Sequence, residues 1–171
     1  LSGSRVALLG SLTHSLSLYG ALEAIFLGCE VHHLAGLSPS SQLKYLENKK
    51  IEILYVTPTQ LRLMLSAKYQ NYLIDSLRYV FIGGASIEQN TLMELSEIAP
   101  NADLKQFYGS SETSFITISD LLTPVNSVGK AYPGVEIVLG DQPDTPVSLG
   151  EIGRVWVRSP YLFSKYVGEN S

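Results

Sequence analysis

Along the first two-thirds of the chain, short apolar runs alternate with longer stretches whose apolar residues recur every three or four positions. The runs Arg5–Gly10, Cys29–Leu34, Ile51–Thr57, Arg78–Gly83 and Asp103–Tyr108 predict five strands. Helices are predicted between them. Ser15 caps the first, which runs through Leu27 and stops at Gly28, and Ser38 followed by Pro39 opens the second, to about Lys50. Thr57-Pro58-Thr59-Gln60 and Ser86-Ile87-Glu88-Gln89 both read as capping boxes, with the amide side chain at the third helical position. The fourth helix places Leu92, Leu95 and Ile98 on one face and then meets Pro100. Regular alternation of this kind predicts an α/β fold, a mostly parallel, doubly wound sheet with flanking helices.

From Thr113 the pattern changes. Thr113–Ile118, Val135–Leu139 and Glu151–Arg158 predict short strands separated by turn-rich stretches such as Gln142-Pro143-Asp144-Thr145-Pro146, and no helical period survives. The expected organisation is an α/β subdomain over residues 1–120 followed by a β-rich subdomain over 121–171, the incomplete start of a small β-barrel-like unit.

Composition narrows the partners. Of 171 residues, 45% are apolar and only 16% are charged, against about 25% in an ordinary soluble domain. So little solvated surface implies that some faces are covered, as in a piece of a larger body. A net charge of −4 argues against nucleic acid or an anionic membrane as partner. The most apolar stretch, Leu16 to Cys29, carries Glu23 and two glycines and is too short to span a bilayer. Cys29 is the single cysteine, so no internal disulfide forms and a reducing, cytoplasmic location is expected. The chain opens at Leu1 with no basic-then-apolar leader, which predicts no signal peptide.

In open parallel sheets ligands bind beyond the carboxyl ends of the strands. Two such loops are rich in chemistry. Gly83-Gly84-Ala85 removes side chains and lets a flat ligand approach the backbone. Tyr108-Gly109-Ser110-Ser111-Glu112-Thr113 supplies an aromatic plate, hydroxyls and a carboxylate. Together they suit a nucleotide: the ring for a base, the hydroxyls for a phosphate, the carboxylate for a hydrated magnesium ion. Each also has a plain structural reading, as turn glycines, capping hydroxyls and a solvated charge. His14, in the first such loop, reads equally as a loop histidine or a site residue. His32 and His33 alternate faces of one strand and cannot form a metal site together. Gly109–Thr113 lacks the second glycine of a hydrolase nucleophile elbow, and no G-x-G-x-x-G opens the first helix.

The order of these motifs resembles the adenylate-forming superfamily of acyl-CoA synthetases, aryl-CoA ligases, luciferases and peptide-synthetase adenylation domains. Phe107-Tyr108-Gly109-Ser110-Ser111-Glu112-Thr113 is similar to that family's Tyr-Gly-x-Thr-Glu motif. Leu12-Thr13-His14, Val56-Thr57-Pro58-Thr59, Gly83-Gly84-Ala85, Ser127-Val128-Gly129-Lys130, Pro133-Gly134-Val135-Glu136 and Gly150-Glu151-Ile152-Gly153 resemble further family segments in the same order.

The resemblance implies activation of a carboxylic acid by ATP to an acyl-adenylate, then capture by coenzyme A. It implies that Tyr108 stacks on adenine with Gly83, Gly84 and Ala85 on the other side, and that Gln106 accepts from the adenine amino group. Gly109 and Ser110 would complete the nucleotide loop and the Ser111 hydroxyl would contact the α-phosphate. Glu112 would hold Mg²⁺, while His14 and Phe107 would border the acyl pocket, Phe107 shortening it. The family's upstream phosphate loop, its ribose-binding Asp and its lysine-bearing lid are not in these residues, and Lys165-Tyr166 stands in place of its Gly-Tyr. The expected partners therefore include the parent enzyme's remaining amino- and carboxy-terminal parts, and the chain alone is expected to be inactive. An adenylation domain that loads a carrier protein, or a non-catalytic nucleotide-binding module, are the alternatives.

Overall fold

Short strands of four to eight residues build the parallel part of a seven-stranded sheet in the computed structural model, which describes residues 2–68, 72–124, 126–166 and 168. In chain order the elements are β1 (Arg5–Leu8), α1 (Ser15–Phe26), β2 (Glu30–His33), α2 (Pro39–Asn48), β3 (Ile53–Val56), α3 (Pro58–Ser66), β4 (Tyr79–Gly83), α4 (Gln89–Ile98) and β5 (Asp103–Ser110). There follow β6 (Ser114–Ser119), β7 (Lys130–Ala131), β8 (Glu136–Gln142), β9 (Thr145–Pro146) and β10 (Arg154–Arg158). The large sheet runs β2-β1-β3-β4-β5-β6-β7, and β10-β8-β9 form a second sheet. Strands β1 to β5 pair in parallel, while β6 and β7 are antiparallel additions.

Helices cover both faces. Side chains alternate along each strand, so Val6, Leu8, Ile53 and Tyr55 pack with Ala21 and Ala24 of α1. Their neighbours Ala7, Leu54, Val56, Val80, Ile82 and Leu104 face the larger core, with Leu43 and Leu46 of α2, Leu61 and Met64 of α3, and Leu92 and Leu95 of α4. All four residues of β3 are buried, as a central strand sandwiched between helix layers requires. The outer side of α1 is different: Leu22, Ile25 and Phe26 are exposed apolar residues. Among the described residues no helix is long and apolar enough to cross a membrane.

Local chemistry explains most element ends. Ser38 caps α2 by accepting from the Ser41 N–H, with Pro39 at the first turn. The expected capping box at Thr57 and Gln60 is formed, and Gln60 Nε2 also donates to the Leu9 carbonyl at 3.3 Å, tying α3 to the end of β1. Two expectations about helix starts are corrected. Ser15 is the first residue of α1 and His14 is its cap, without a side-chain bond, because the turn before it is closed by Ser11, which accepts from the Thr13 and His14 N–H groups. Nor does Ser86 cap α4. That helix begins at Gln89 with Glu88 as an extended cap residue and no side-chain bond; Gly84, at φ 91°, carries the chain outward, and Ser86 and Ile87 face a cavity instead.

Candidate functional site

The register of the sheet brings the two motif loops together. Gly83, the last residue of β4, pairs with Phe107 of β5, so Tyr108 lies one residue beyond, beside the Gly84-Ala85 bend on the carboxyl rim. Tyr108 is exposed. Strand alternation sends Gln106 and Phe107 to opposite faces, and the cavities agree. Gln106 lines a cavity of about 220 Å³ toward α4 with Ser86, Ile87, Gln89 and Leu92. Phe107 lines a smaller one of about 80 Å³ toward α1 with Ser15, Tyr19, Gly84 and Phe115.

Gly83 owes its missing side chain to Phe107. A Cβ there would stand 2.6 Å from Phe107 Cζ and closer still to Cε2, well inside contact distance. At Gly84, by contrast, the nearest atom to a Cβ would be Thr57 Cγ2 at 3.8 Å, and φ is 91°, a backbone conformation that favours glycine. Phe107 is half-buried on the α1 face and packs edge-on against Phe115 at 4.4 Å between ring centres, and Phe115 continues to Tyr132 at 5.1 Å. This aromatic row borders a second cavity, also about 80 Å³, with Tyr55, Phe81 and Glu23.

The third part of the site is a hairpin loop. β5 and β6 pair antiparallel with a bulge at Tyr108 and Gly109. A Cβ on Gly109 would collide with the Ser114 carbonyl oxygen, so only glycine fits the bulge. Ser110 Oγ accepts from the Glu112 and Thr113 N–H groups, and Thr113 Oγ1 accepts from the Ser110 N–H. Ser110 thus acts as a turn cap. Ser111 and Glu112 occupy the tip. Tyr19 of α1 donates to the Ser111 carbonyl at 2.9 Å, and Tyr166 donates to Glu112 Oε1 at 2.5 Å. That bond, then one from Ser110, holds the Glu112 carboxyl below the usual carboxylate range, and it holds the Tyr166 phenol above the usual tyrosine range.

His14 is exposed at the start of α1, its Nδ1 3.3 Å from Thr13 Oγ1, and the side chain that reaches the Phe107 cavity belongs to its neighbour Ser15. His32 bonds Tyr45 of α2 and His33 the Gly10 carbonyl, one on each side of the strand; the described residues hold no cluster of three or more metal-ligating side chains. A larger cavity, about 410 Å³, opens between Lys105, Asp120 and Lys130; Ser127 and Gly129 of the Ser127–Lys130 motif also line it, but none of the residues expected to bind the nucleotide, the acid or the metal does. Tyr19 and Tyr166 are the residues whose part in the site the sequence did not disclose. Their signal was faint: each is a tyrosine adjoining a recognised motif, and its partner is decided by the fold.

An AMP-binding enzyme family model matches residues 2–167. The chain is 32% identical over 164 residues to the putative long chain fatty acid-CoA ligase VraA of Staphylococcus epidermidis, covering 95% of this chain and 34% of that protein. It is 32% identical over 169 residues to the uncharacterized acyl-CoA ligase YhfT of Bacillus subtilis, covering 97% and 35%. The chain thus spans about a third of the length of these curated relatives. Among solved structures, VinN superposes with a TM-score of 0.83 at 22% identity, over 95% of this chain and 41% of that one. O-succinylbenzoate coenzyme A synthetase of Bacillus subtilis, in complex with ATP and magnesium ion, superposes with a TM-score of 0.82 at 22% identity, over 97% and 35%. These two likenesses carry the fold.

Proposed function

The chain belongs to the AMP-binding enzyme family, and on that premise we propose that it supplies the nucleotide site of an AMP-forming acid–CoA ligase. The substrate carboxylate attacks the α-phosphorus of ATP and pyrophosphate leaves; the thiol of coenzyme A then attacks the acyl carbonyl and AMP leaves. The observation that carries this reading is the pairing of Gly83 with Phe107, which sets an exposed aromatic ring beside a bare peptide bend at the ligand-binding rim. Tyr108 stacks on the purine, Gly84 and Ala85 form the peptide surface opposite, and Gly83 makes room for Phe107. Gln106 accepts from the purine amino group in the cavity facing α4. The Ser111 hydroxyl, at the hairpin tip, meets the α-phosphate.

Glu112 fits the role of a magnesium ligand. It is a hard oxygen donor whose pKa the Tyr166 bond, then that of Ser110, holds below the usual carboxylate range, and one carboxylate combined with nucleotide phosphates is a usual magnesium environment. The ion, when bound, neutralises charge at the transferring phosphate. On the other face, Phe107 and Phe115 close the small cavity below Ser15 and Tyr19, which supports a short or compact acid; His14, the residue before Ser15, is read as bordering the acid from outside this cavity. The relatives' names as CoA ligases favour coenzyme A over a carrier-protein thiol. Residues 1–120 are read as the nucleotide-side subdomain and 121–171 as the start of the β-rich one, with β7 joining it to the large sheet, and the single cysteine fits a cytoplasmic setting.

Calorimetry with AMP tests the stacking. Base–aromatic stacking lost on truncation is worth about 1–3 kcal/mol, so Tyr108→Ala weakens AMP binding by roughly 5- to 150-fold while leaving the fold intact, the side chain being exposed. Unchanged affinity overturns the site. The isolated 171 residues are read as inactive in pyrophosphate exchange, and measurable exchange would refute that.

A further inference from the structure

After β10 the chain returns from the small sheet to the large one and lies against the hairpin tip. Tyr161 donates to the Pro133 carbonyl at 3.2 Å, and the Phe163 N–H donates to the Glu112 carbonyl at 2.9 Å. Tyr166 then donates to Glu112 Oε1, its ring edge-on to Phe163 at 4.7 Å between centres. A single residue at the tip is therefore held at both its backbone and its side chain by one segment. Glutamate on an exposed loop otherwise samples many rotamers, and fixing them costs entropy at the moment a ligand binds. A phenol donor uses one lone pair of Oε1 and leaves the carboxylate's remaining acceptor sites for another partner.

We propose that Tyr166 is a positioning residue for the divalent-cation site: with Phe163 it fixes the direction of the Glu112 carboxylate before the cation arrives. This rests on the reading of Glu112 as the magnesium ligand. Partners that orient a metal ligand from outside the coordination sphere typically change metal affinity by about 10-fold or more when removed. The aromatic contact with Phe163 does not need the hydroxyl, so Tyr166→Phe removes the bond alone.

The test is Mn²⁺ affinity of the intact protein, measured by electron paramagnetic resonance at saturating non-hydrolysable ATP analogue. Wild type, Tyr166→Phe, Glu112→Gln and the double variant are compared, with circular dichroism as the folding control. Glu112→Gln is expected to weaken Mn²⁺ binding, and Tyr166→Phe to weaken it about 10-fold. In the Glu112→Gln background Tyr166→Phe should change nothing further, since the phenol acts only through that carboxylate. If Glu112→Gln leaves Mn²⁺ affinity unchanged, the metal-ligand reading fails and this proposal fails with it. If Glu112→Gln weakens binding but Tyr166→Phe does not, or weakens it equally in both backgrounds, the positioning role alone is overturned.

Discussion

Replacing Gly83 by alanine isolates the contact that shapes the acyl side of the site. The backbone of Gly83 does not have positive φ, so alanine is conformationally acceptable and removes the entropic penalty of a strand glycine, worth about 0.5–1 kcal/mol. Against this stands the Phe107 ring. The new Cβ would sit 2.6 Å from Cζ and 3.0 Å from Cδ2, whereas carbon atoms rest about 3.5–4.0 Å apart. The ring must move by roughly 1 Å on that scale, toward Phe115 packed edge-on at 4.4 Å. Overpacking of this kind costs about 1–3 kcal/mol. After the backbone gain is subtracted, Gly83→Ala should destabilise the protein by up to about 2.5 kcal/mol. Phe107→Ala vacates the space, so in that background Gly83→Ala should be neutral or stabilising by up to about 1 kcal/mol. Urea unfolding of the four proteins measures the coupling, expected at about 1–3 kcal/mol. Additive effects would refute the claim that the ring occupies the glycine's side-chain space. AMP affinity is a second readout: it should barely change in Gly83→Ala, and a large loss at unchanged stability would return that glycine to the purine's side of the site.

Two further outcomes follow from the hydrogen bonds. Gln60→Ala removes the capping-box acceptor for the Thr57 N–H and the donor to the Leu9 carbonyl, and should cost about 1–2 kcal/mol in urea unfolding; a loss below about 0.5 kcal/mol would contradict the cap. Alkaline titration of phenolate absorbance should show Tyr55, Tyr132 and Tyr166 lagging behind the others. Burial and then the Glu23 carboxylate, 2.8 Å away, raise Tyr55; burial raises Tyr132; the bond to Glu112 raises Tyr166. A group with raised folded-state pKa contributes stability below its unfolded pKa and loses it as pH rises through the folded one, while the lowered Glu112 contributes above its unfolded pKa and loses it as pH falls through its folded one. Stability from the Tyr166–Glu112 bond is therefore present across neutral pH and lost at both extremes. Tyr166→Phe should flatten both limbs of the stability–pH profile, and a profile superimposable on wild type would exclude the bond.

The bond from Tyr19 to Ser111 joins residues 92 positions apart, and that from Tyr166 to Glu112 joins residues 54 apart. Neither has a local signature, because each depends on which strands are neighbours and in what register. The same holds for Gly83. Its bareness reads in sequence as room for a ligand, yet the pairing with Phe107 gives that room to a side chain of the protein itself. For Ser110 the sequence offered two readings, a phosphate contact and a turn-capping hydroxyl, and the hairpin makes the capping bonds.

Periodicity placed the elements, and capping chemistry placed the starts of α2 and α3 though not those of α1 and α4. Apolar runs marked β1, β3 and β4, since a strand between helix layers must be apolar on both faces, and Ser38 and Thr57 marked helix starts because their hydroxyls satisfy free N–H groups within three residues. Those interactions are local, so the amino-acid order alone determines them. Where two distant loops meet, which face each side chain takes at the rim, and which tyrosine holds Glu112 were decided only when the sheet assembled, because strand order and register are collective properties of the packed core.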